Sequence, residues 1–143
     1  MLVILDTNVL IGALISSNGP PHIIYDAWCS DRFELVTSFV QLEEIRQVSR
    51  YSKLKSILPP HRVGTMINNM QNAKILETLP ALPPEIKSHD PNDDFLLAMA
   101  LESHADYLIT GDRKSGLLQI GKLKRTKILT PADFCLNVLS IKT

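Results

Sequence analysis

The amino-acid sequence predicts an α/β domain with a central parallel sheet and helices on both of its faces. Short apolar runs rich in Val, Ile and Leu alternate with segments of helical length along the chain. Clusters of Pro, Gly, Ser and Asn separate these segments, as expected of loops. The chain has 143 residues, 45% of them hydrophobic, which suits one domain with its own core. Residues 1–143 are therefore expected to form a single three-layer α/β/α domain.

The first part of the chain predicts a strand followed by two helices. Residues 3–5 are a β-type apolar run, and the polar segment 6–8 offers capping oxygens to a helix over residues 9–15. The loop-forming run 16–21 ends that helix. A second helix is expected over residues 22–30.

The middle of the chain predicts two further strands and two helices before a long connection. Ser38 can cap one helix, and Pro59-Pro60 can begin the other. Residues 80–91 contain four prolines and are expected to be a surface connection. The expected elements are a strand at 33–37, a helix from 39 to about 51, a helix from 60 to about 74 and a strand at 75–79.

The last third repeats this alternation, which is typical of a parallel sheet whose crossovers are helices. Thr130-Pro131 is a helix start, and Gly111-Asp112 is a turn. The expected elements are a helix at 93–104, a strand at 107–110, a strand at 127–129 and a final helix through 139.

Composition argues against several classes of protein. Fifteen basic and fifteen acidic residues cancel, so the overall charge indicates no partner. No apolar run approaches the roughly 20 residues of a membrane span, and the apolar start is too short for a signal peptide. Cys29 and Cys135 are expected to be buried reduced thiols, so we expect a cytoplasmic protein without membrane contact.

Aspartates stand at the junctions where a ligand of a parallel sheet would bind, beyond the carboxyl ends of the strands. Asp6 directly follows the first strand, and Asp112 follows the strand at 107–110 by two residues. Asp93 and Asp94 begin the helix that leads into that strand. Each could be an ordinary helix cap or turn residue, but their repetition at three junctions favours a shared site.

Helical phase separates Glu44 from its neighbour. On a wheel of about 100° per residue, Glu44 shares a face with Val40 and Val48, which are expected to face the core. Glu43 falls on the opposite side, where it can pair with Arg46. Glu44 is therefore expected to point inward, where a carboxylate needs a partner.

The same procedure favours Asp93 over Asp94. Asp93 lies in line with Leu97, Ala100 and His104 on the expected inward face, and Asp94 lies at its margin. His104 is expected to be an ordinary core histidine.

Inward carboxylates without an equal number of inward Lys or Arg repel one another, and a divalent cation relieves that repulsion. Oxygen ligands select Mg²⁺ or Mn²⁺ over zinc, and the four histidines show no paired ligand spacing. Such a site suits phosphodiester hydrolysis. A run with six basic and no acidic residues follows Asp112 and is either a solvated loop or a phosphate-contacting surface; the candidates for contact are Arg113, Lys114, Lys122, Lys124 and Arg125.

Five segments together resemble the PIN-domain nucleases. The opening VILDTNVL (residues 3–10) resembles the first motif of that family, and SFVQLEEI (38–45) resembles the second. DPNDD (90–94) and ADYLITGD (105–112) resemble the third and fourth. ILTPADF (128–134) resembles the end of the small stand-alone prokaryotic members, the VapC-like type, many of which are toxins of toxin–antitoxin pairs.

The resemblance implies a Rossmann-like PIN fold with a central parallel sheet and metal-dependent endoribonuclease activity on an RNA substrate. It also implies a homodimer and, in the toxin branch, a cognate antitoxin protein. The residues that match the acidic motif positions are Asp6, Glu44, Asp93 and Asp112, and those that match accompanying polar positions are Thr7, Asn8, Ser38 and Thr110. Many relatives have a further Asp soon after the fourth acid; here basic residues intervene, which makes Asp94 the alternative fifth metal ligand.

Three other interpretations compete with a nuclease. A haloacid-dehalogenase-type phosphatase also places Asp after its first strand, but it needs a second Asp two residues on, where this chain has Asn8. A phosphoacceptor receiver domain needs an acidic pair at the start, where only Asp6 is present. The fold could also serve as a non-catalytic RNA-binding or protein-interaction module.

Overall fold

The computed structural model describes residues 1–141 and contains six strands and eight α-helices in that range. The strands are β1 (Leu2–Leu5), β2 (Glu34–Ser38), β3 (Lys74–Leu76), β4 (Tyr107–Ile109), β5 (Lys122–Leu123) and β6 (Thr126–Leu129). The helices are α1 (Thr7–Ile15), α2 (Pro20–Cys29), α3 (Phe39–Val48), α4 (Ser52–Lys55), α5 (Pro60–Met70), α6 (Asp94–Ser103), α7 (Leu117–Ile120) and α8 (Pro131–Asp133). A 3-10 turn, Pro91–Asp93, precedes α6, and a π-helical turn, Phe134–Val138, follows α8.

The strands form one sheet in the order β3-β2-β1-β4-β6-β5. All neighbours are parallel except β5 and β6, which form an antiparallel hairpin at one edge. The predicted α/β class and central parallel sheet are therefore confirmed. The edge hairpin and α7 were not predicted, because elements of two and four residues are too short to show a period.

Side chains of the central strands alternate between two apolar layers, as the two-residue period of a strand requires. Val3 and Leu5 pack in the layer formed largely by α1, α2, α3 and α5, whereas Ile4 packs with α6 and α7 on the other face. All three side chains are almost fully buried. The sheet is thus the middle of three layers, with an apolar layer on each face.

Several expectations about individual residues were wrong. Val40 is 47% exposed, because the buried face of α3 is centred on Leu42 and Ile45 instead. His104 is exposed and ends α6 in a left-handed conformation with φ 54°, so it is not a core histidine. Cys29 is exposed, although both cysteines are free thiols as expected.

The connection between β3 and α6 is partly packed onto the sheet layer. Leu79, Leu82 and Ile86 contact the core on the α6 side. Near its end, the His89 N–H donates a hydrogen bond to the Ser115 carbonyl (2.6 Å), and the His89 ring lies against Gly116. A Cβ at Gly116, which has φ +85°, would lie 2.7 Å from that ring. These contacts join the loop before Asp93 to the loop after Asp112.

No helix within residues 1–141 has the length and apolar character needed to cross a membrane.

Candidate active site

The candidate site lies at the carboxyl ends of β1 and β4, the two central strands. The chain leaves β1 to one side, toward β2 and β3, and leaves β4 to the other, toward β6, so a crevice opens between the two strand ends. The Asp6 N–H donates to the Ile109 carbonyl (2.9 Å) and holds these ends together. We call this border of the sheet the carboxyl edge.

Asp6 is held rigidly at the centre of the carboxyl edge. It is 4% exposed, and its Oδ2 accepts a hydrogen bond from the Thr110 hydroxyl (2.7 Å). Its Oδ1 accepts from the Asn8 N–H (3.4 Å), so the predicted capping of α1 is observed. Burial raises the pKa of Asp6, against the lowering effect of the Thr110 and Asn8 hydrogen bonds; the nearby Asp112 charge raises it further.

Thr110 connects Asp6 to Asp112. The same hydroxyl that donates to Asp6 accepts a hydrogen bond from the Asp112 N–H (3.1 Å). Asp112 Oδ1 in turn accepts from the Lys114 N–H (2.8 Å), which fixes the carboxylate within its own turn. Thr110, which the sequence predicts as a supporting polar residue, therefore orients the Asp6 carboxylate and fixes the backbone of Asp112.

Glu44 is half-buried in the middle of α3 and lies close to Thr7. Burial raises the pKa of Glu44, the nearby Thr7 hydroxyl opposes this rise, and the Asp6 charge adds to it. Thr7 is itself buried, and within residues 1–141 its hydroxyl oxygen makes no hydrogen bond of good distance and angle, although Glu44 lies close to it. Glu43, by contrast, is exposed and lies 3.9 Å from Arg46, as helical phase predicted.

Among the carboxylates of the site, Asp93 has the largest shift in pKa. Its pKa is raised from 3.8 to about 6, first by burial and then by the negative charges of neighbouring carboxylates, namely Asp6, Asp90, Asp112 and Glu44. These mutual effects place the four predicted carboxylates in one electrostatic cluster. No ion pair in the described part of the chain includes any of the four.

Asp90 contributes to this cluster and was not singled out from the sequence. Its Oδ1 accepts from the Asn92 N–H (2.9 Å), which stabilises the 3-10 turn before α6. The signal was present in the run DPNDD, where Asp90 precedes Pro91, but an Asp before Pro is also an ordinary turn residue.

Asp94, the alternative fifth metal ligand, makes hydrogen bonds to the segment before α6. Its Oδ1 accepts hydrogen bonds from both the N–H and the hydroxyl of Ser88, each at 2.7 Å. Asp94 thereby ties the end of the long connection to the start of α6.

The remaining predicted polar positions support the backbone. Asn8 is exposed, and its backbone N–H donates to Asp6 Oδ1. Ser38 is buried; its hydroxyl accepts from the Gln41 N–H (3.1 Å) to cap α3 and donates to the Met99 sulfur (3.3 Å).

Gln41 is a buried polar residue at the site that the sequence did not reveal. Its amide N–H₂ donates to the Leu5 carbonyl (2.6 Å), and its amide oxygen accepts from the Thr37 hydroxyl (2.7 Å). The side chain is fully buried, so it joins the ends of β1 and β2 to α3 directly beside Asp6. Only the contact itself identifies this role, because a Gln in a helix is usually solvated.

The basic run after Asp112 is divided between two places. Arg113 and Lys114 are exposed next to Asp112 at the carboxyl edge. Lys122, Lys124 and Arg125 belong to the β5–β6 hairpin, which turns at the opposite border of the sheet, where the parallel strands begin. We call that border the amino edge. The structure therefore does not bring the five basic residues together.

The chemistry of the cluster suits a hard divalent cation. The candidate ligands are all oxygen atoms, and the Thr7 hydroxyl is a buried polar atom without a partner. Within residues 1–141, however, no three Asp, Glu, His or Cys side chains are placed so that they could hold an ion by direct ligation. Mg²⁺ commonly binds through one or two carboxylates and keeps several waters, so this arrangement fits a partly hydrated ion.

In a comparison with protein families, the family model described as "PIN domain" matches residues 2–114, a segment that includes β1, α3, α6 and every carboxylate of the cluster. No curated protein matches the chain.

Proposed function

Because the chain belongs to the PIN-domain family, we propose that it is a metal-dependent endoribonuclease that hydrolyses RNA phosphodiester bonds at the carboxyl edge. The observation that supports this most directly is the uncompensated carboxylate cluster around Asp93. Several carboxylates close together repel one another and do not stabilise a fold, whereas a metal-assisted hydrolase needs them to bind its cation.

In this proposal Asp6, Glu44, Asp93 and Asp112 hold Mg²⁺ or Mn²⁺, which supplies an activated water and neutralises charge on the phosphate. Thr110 keeps the Asp6 carboxylate oriented by donating to Oδ2. The ordered turn after Asp112 presents Arg113 and Lys114 beside the site, where they can contact RNA phosphates. The buried Gln41 fixes the strand end that carries Asp6.

The test is cleavage of an RNA with paired and unpaired regions by purified protein. We expect cleavage with Mg²⁺ or Mn²⁺, none with EDTA, and a loss of about a hundredfold or more in Asp6→Asn and Asp93→Asn. Asp106→Asn is the matched control, because Asp106 lies at the amino edge and should leave the rate nearly unchanged. Full cleavage by both site variants would refute the proposal.

One observation favours a second candidate, a non-catalytic RNA-binding module. In the part of the chain described, no three side chains stand ready to ligate an ion. That candidate predicts RNA binding that is the same with EDTA and with Mn²⁺, and no cleavage under either condition.

We also propose, from the resemblance to the VapC-like members, that the protein is the toxin of a toxin–antitoxin pair and acts as a homodimer in the cytoplasm. Induced expression should arrest growth, and Asp6→Asn should remove that arrest. A small gene beside this one whose product restores growth would identify the antitoxin. Sedimentation of the purified protein tests the dimer.

A further inference from the structure

A groove next to the candidate active site is lined by aromatic rings. It has a volume of about 720 Å³ and lies between α3 and the start of α6, within the size range of small-molecule sites, roughly 300–1,000 Å³. We call it the aromatic groove and define it by Phe39, Tyr51 and Phe95. Glu44 lines it as well, so the groove is continuous with the carboxylate cluster.

The aromatic residues of this chain divide into two sets. The chain has four Phe, three Tyr and one Trp. Five of these rings contact another ring edge to face, and they are Tyr25, Trp28, Phe33, Tyr107 and Phe134. The three that remain are the three that line the aromatic groove.

Two of the groove rings are open to solvent and one is anchored. Phe39 is 53% exposed and Tyr51 is 58% exposed, whereas Phe95 packs partly against the core on the α6 side. Phe39 is the first residue of α3, directly after the capping Ser38, so the buried cap fixes the backbone from which this ring projects. Exposed rings on such a fixed backbone are suited to a flat ligand.

The polar groups of the groove indicate what kind of flat ligand fits. Asn92 and Gln47 are exposed amides that can both donate and accept hydrogen bonds. Glu43 and Glu44 are acidic, and none of the lining residues described is Lys or Arg. The groove therefore disfavours a phosphate but accepts an uncharged heterocycle with donors and acceptors at its edge.

We propose that the aromatic groove binds an unpaired base of the RNA, next to the phosphate at the carboxylate cluster. Protein aromatic rings recognise single-stranded RNA by stacking on splayed bases, which a base inside a duplex cannot offer. This inference rests on the proposed ribonuclease function and adds to it a base-binding subsite formed by Phe39, Tyr51 and Phe95.

The experiment measures base stacking without cleavage. The probe is a single-stranded RNA of eight nucleotides with one 2-aminopurine, whose fluorescence is quenched on stacking, in buffer with Ca²⁺ in place of Mg²⁺ or Mn²⁺. Wild-type protein should quench the probe. Phe39→Ala and Tyr51→Ala should each weaken binding roughly 5- to 100-fold, the range found when a stacking ring is removed.

Matched variants separate stacking from other effects. Phe39→Tyr keeps a ring and should bind as the wild type does. Leu136→Ala removes an equally exposed apolar side chain (56%) far along the chain, in the turn after α8, and should change nothing. The same RNA annealed to its complement should compete poorly.

Unchanged binding in both Ala variants would overturn the inference. So would conversion of a dimer to a monomer by Phe39→Ala with no effect on the probe, because the groove would then be covered by a second copy of the chain. Cleavage of unlabelled RNA with Mn²⁺ is measured in parallel. If Phe39→Ala loses stacking but the wild type cleaves no RNA, the base-binding groove stands and the proposed ribonuclease function falls. If the wild type cleaves RNA but Phe39→Ala and Tyr51→Ala stack the probe as the wild type does, the ribonuclease function stands and the groove proposal falls.

Discussion

Asp6 and Asp106 lie at opposite edges of the same sheet, and their surroundings shift their pKa values in opposite directions. At the amino edge, Asp106 accepts hydrogen bonds from the Leu2 N–H (2.8 Å) and from Arg125 (2.6 Å), and these contacts lower its pKa. At the carboxyl edge, burial raises the pKa of Asp6, and no ion pair in residues 1–141 compensates its charge. The contacts at the amino edge stabilise the charged form of Asp106, whereas the surroundings at the carboxyl edge disfavour the charged form of Asp6.

The edges also differ in what joins the strands. A buried, uncharged network of Gln41, Thr37 and Leu5 holds the carboxyl edge, whereas an exposed ion pair holds the amino edge. Loss of a buried hydrogen-bonding group leaves its partners unsatisfied, which costs more than loss of a surface ion pair. The four predictions below test this difference, starting with the largest effect.

Gln41→Leu should lower the free energy of unfolding by about 2–4 kcal/mol. The Leu5 carbonyl and the Thr37 hydroxyl would lose their partner inside the protein, and each such loss costs about 1–3 kcal/mol. Urea denaturation measures the change. A cost below about 1 kcal/mol would mean that water reaches these groups and that the network does not secure the carboxyl edge.

Asp93→Asn should stabilise the metal-free protein by about 1 kcal/mol at neutral pH, after the effect of the raised pKa is reduced for solvent screening. Asp93 makes no side-chain capping hydrogen bond at the start of α6, so the substitution removes charge without removing a cap. Thermal unfolding in EDTA measures the effect. A lower melting temperature would identify Asp93 as a structural residue.

The advantage of Asp93→Asn should disappear at low pH. Because the pKa of Asp93 is about 6 when folded and near 3.8 when unfolded, the native state binds the extra proton between these values. The wild type is therefore relatively stable below about pH 4 and loses that stability as pH rises through 6. The two melting temperatures should converge on going from pH 7.5 to 4.5; a constant difference would contradict this pKa.

Arg125→Gln should have the smallest effect, a loss below about 1 kcal/mol that shrinks in high salt, since the pair with Asp106 is largely exposed. Its pH dependence has the opposite sign to that of Asp93. The lowered pKa of Asp106 contributes stability above about pH 3.8, and this is lost as pH falls through the folded value. A cost as large as that of Gln41→Leu would remove the distinction between the edges.

The central sheet and the cluster could be predicted because both follow from local patterns. Apolar runs at 3–5 and 107–110 have the composition of buried parallel strands, and β1 and β4 are neighbours in the structure. The rule that ligands bind beyond the carboxyl ends of strands then brought Asp6 and Asp112 together. Helical phase distinguished the exposed Glu43 from the half-buried Glu44.

The features that escaped prediction depend on contacts between distant segments. Gln41 is buried because it satisfies Leu5, 36 residues away, and no helical period contains that information. Val40 is apolar, which predicts a place in the core, but the structure leaves it exposed. The sequence alone does not show whether the core or a surface groove lies beside an apolar residue of α3. The division of the basic run escaped prediction because the short β5–β6 hairpin, which carries three of its five candidate residues to the amino edge, has no visible period.

The hydrogen bond from Thr110 to Asp6 spans 104 positions of the chain. A ribosome adds roughly 5–20 residues per second, so about 5 to 20 s separate the synthesis of these two residues. Until β4 has emerged and inserted beside β1, Asp6 has no Thr110 to orient it, and Asp112 does not yet exist. If the site cuts RNA as proposed, the chain is inactive throughout most of its own translation, and the messenger and ribosome that produce it are not exposed to the finished site while it forms.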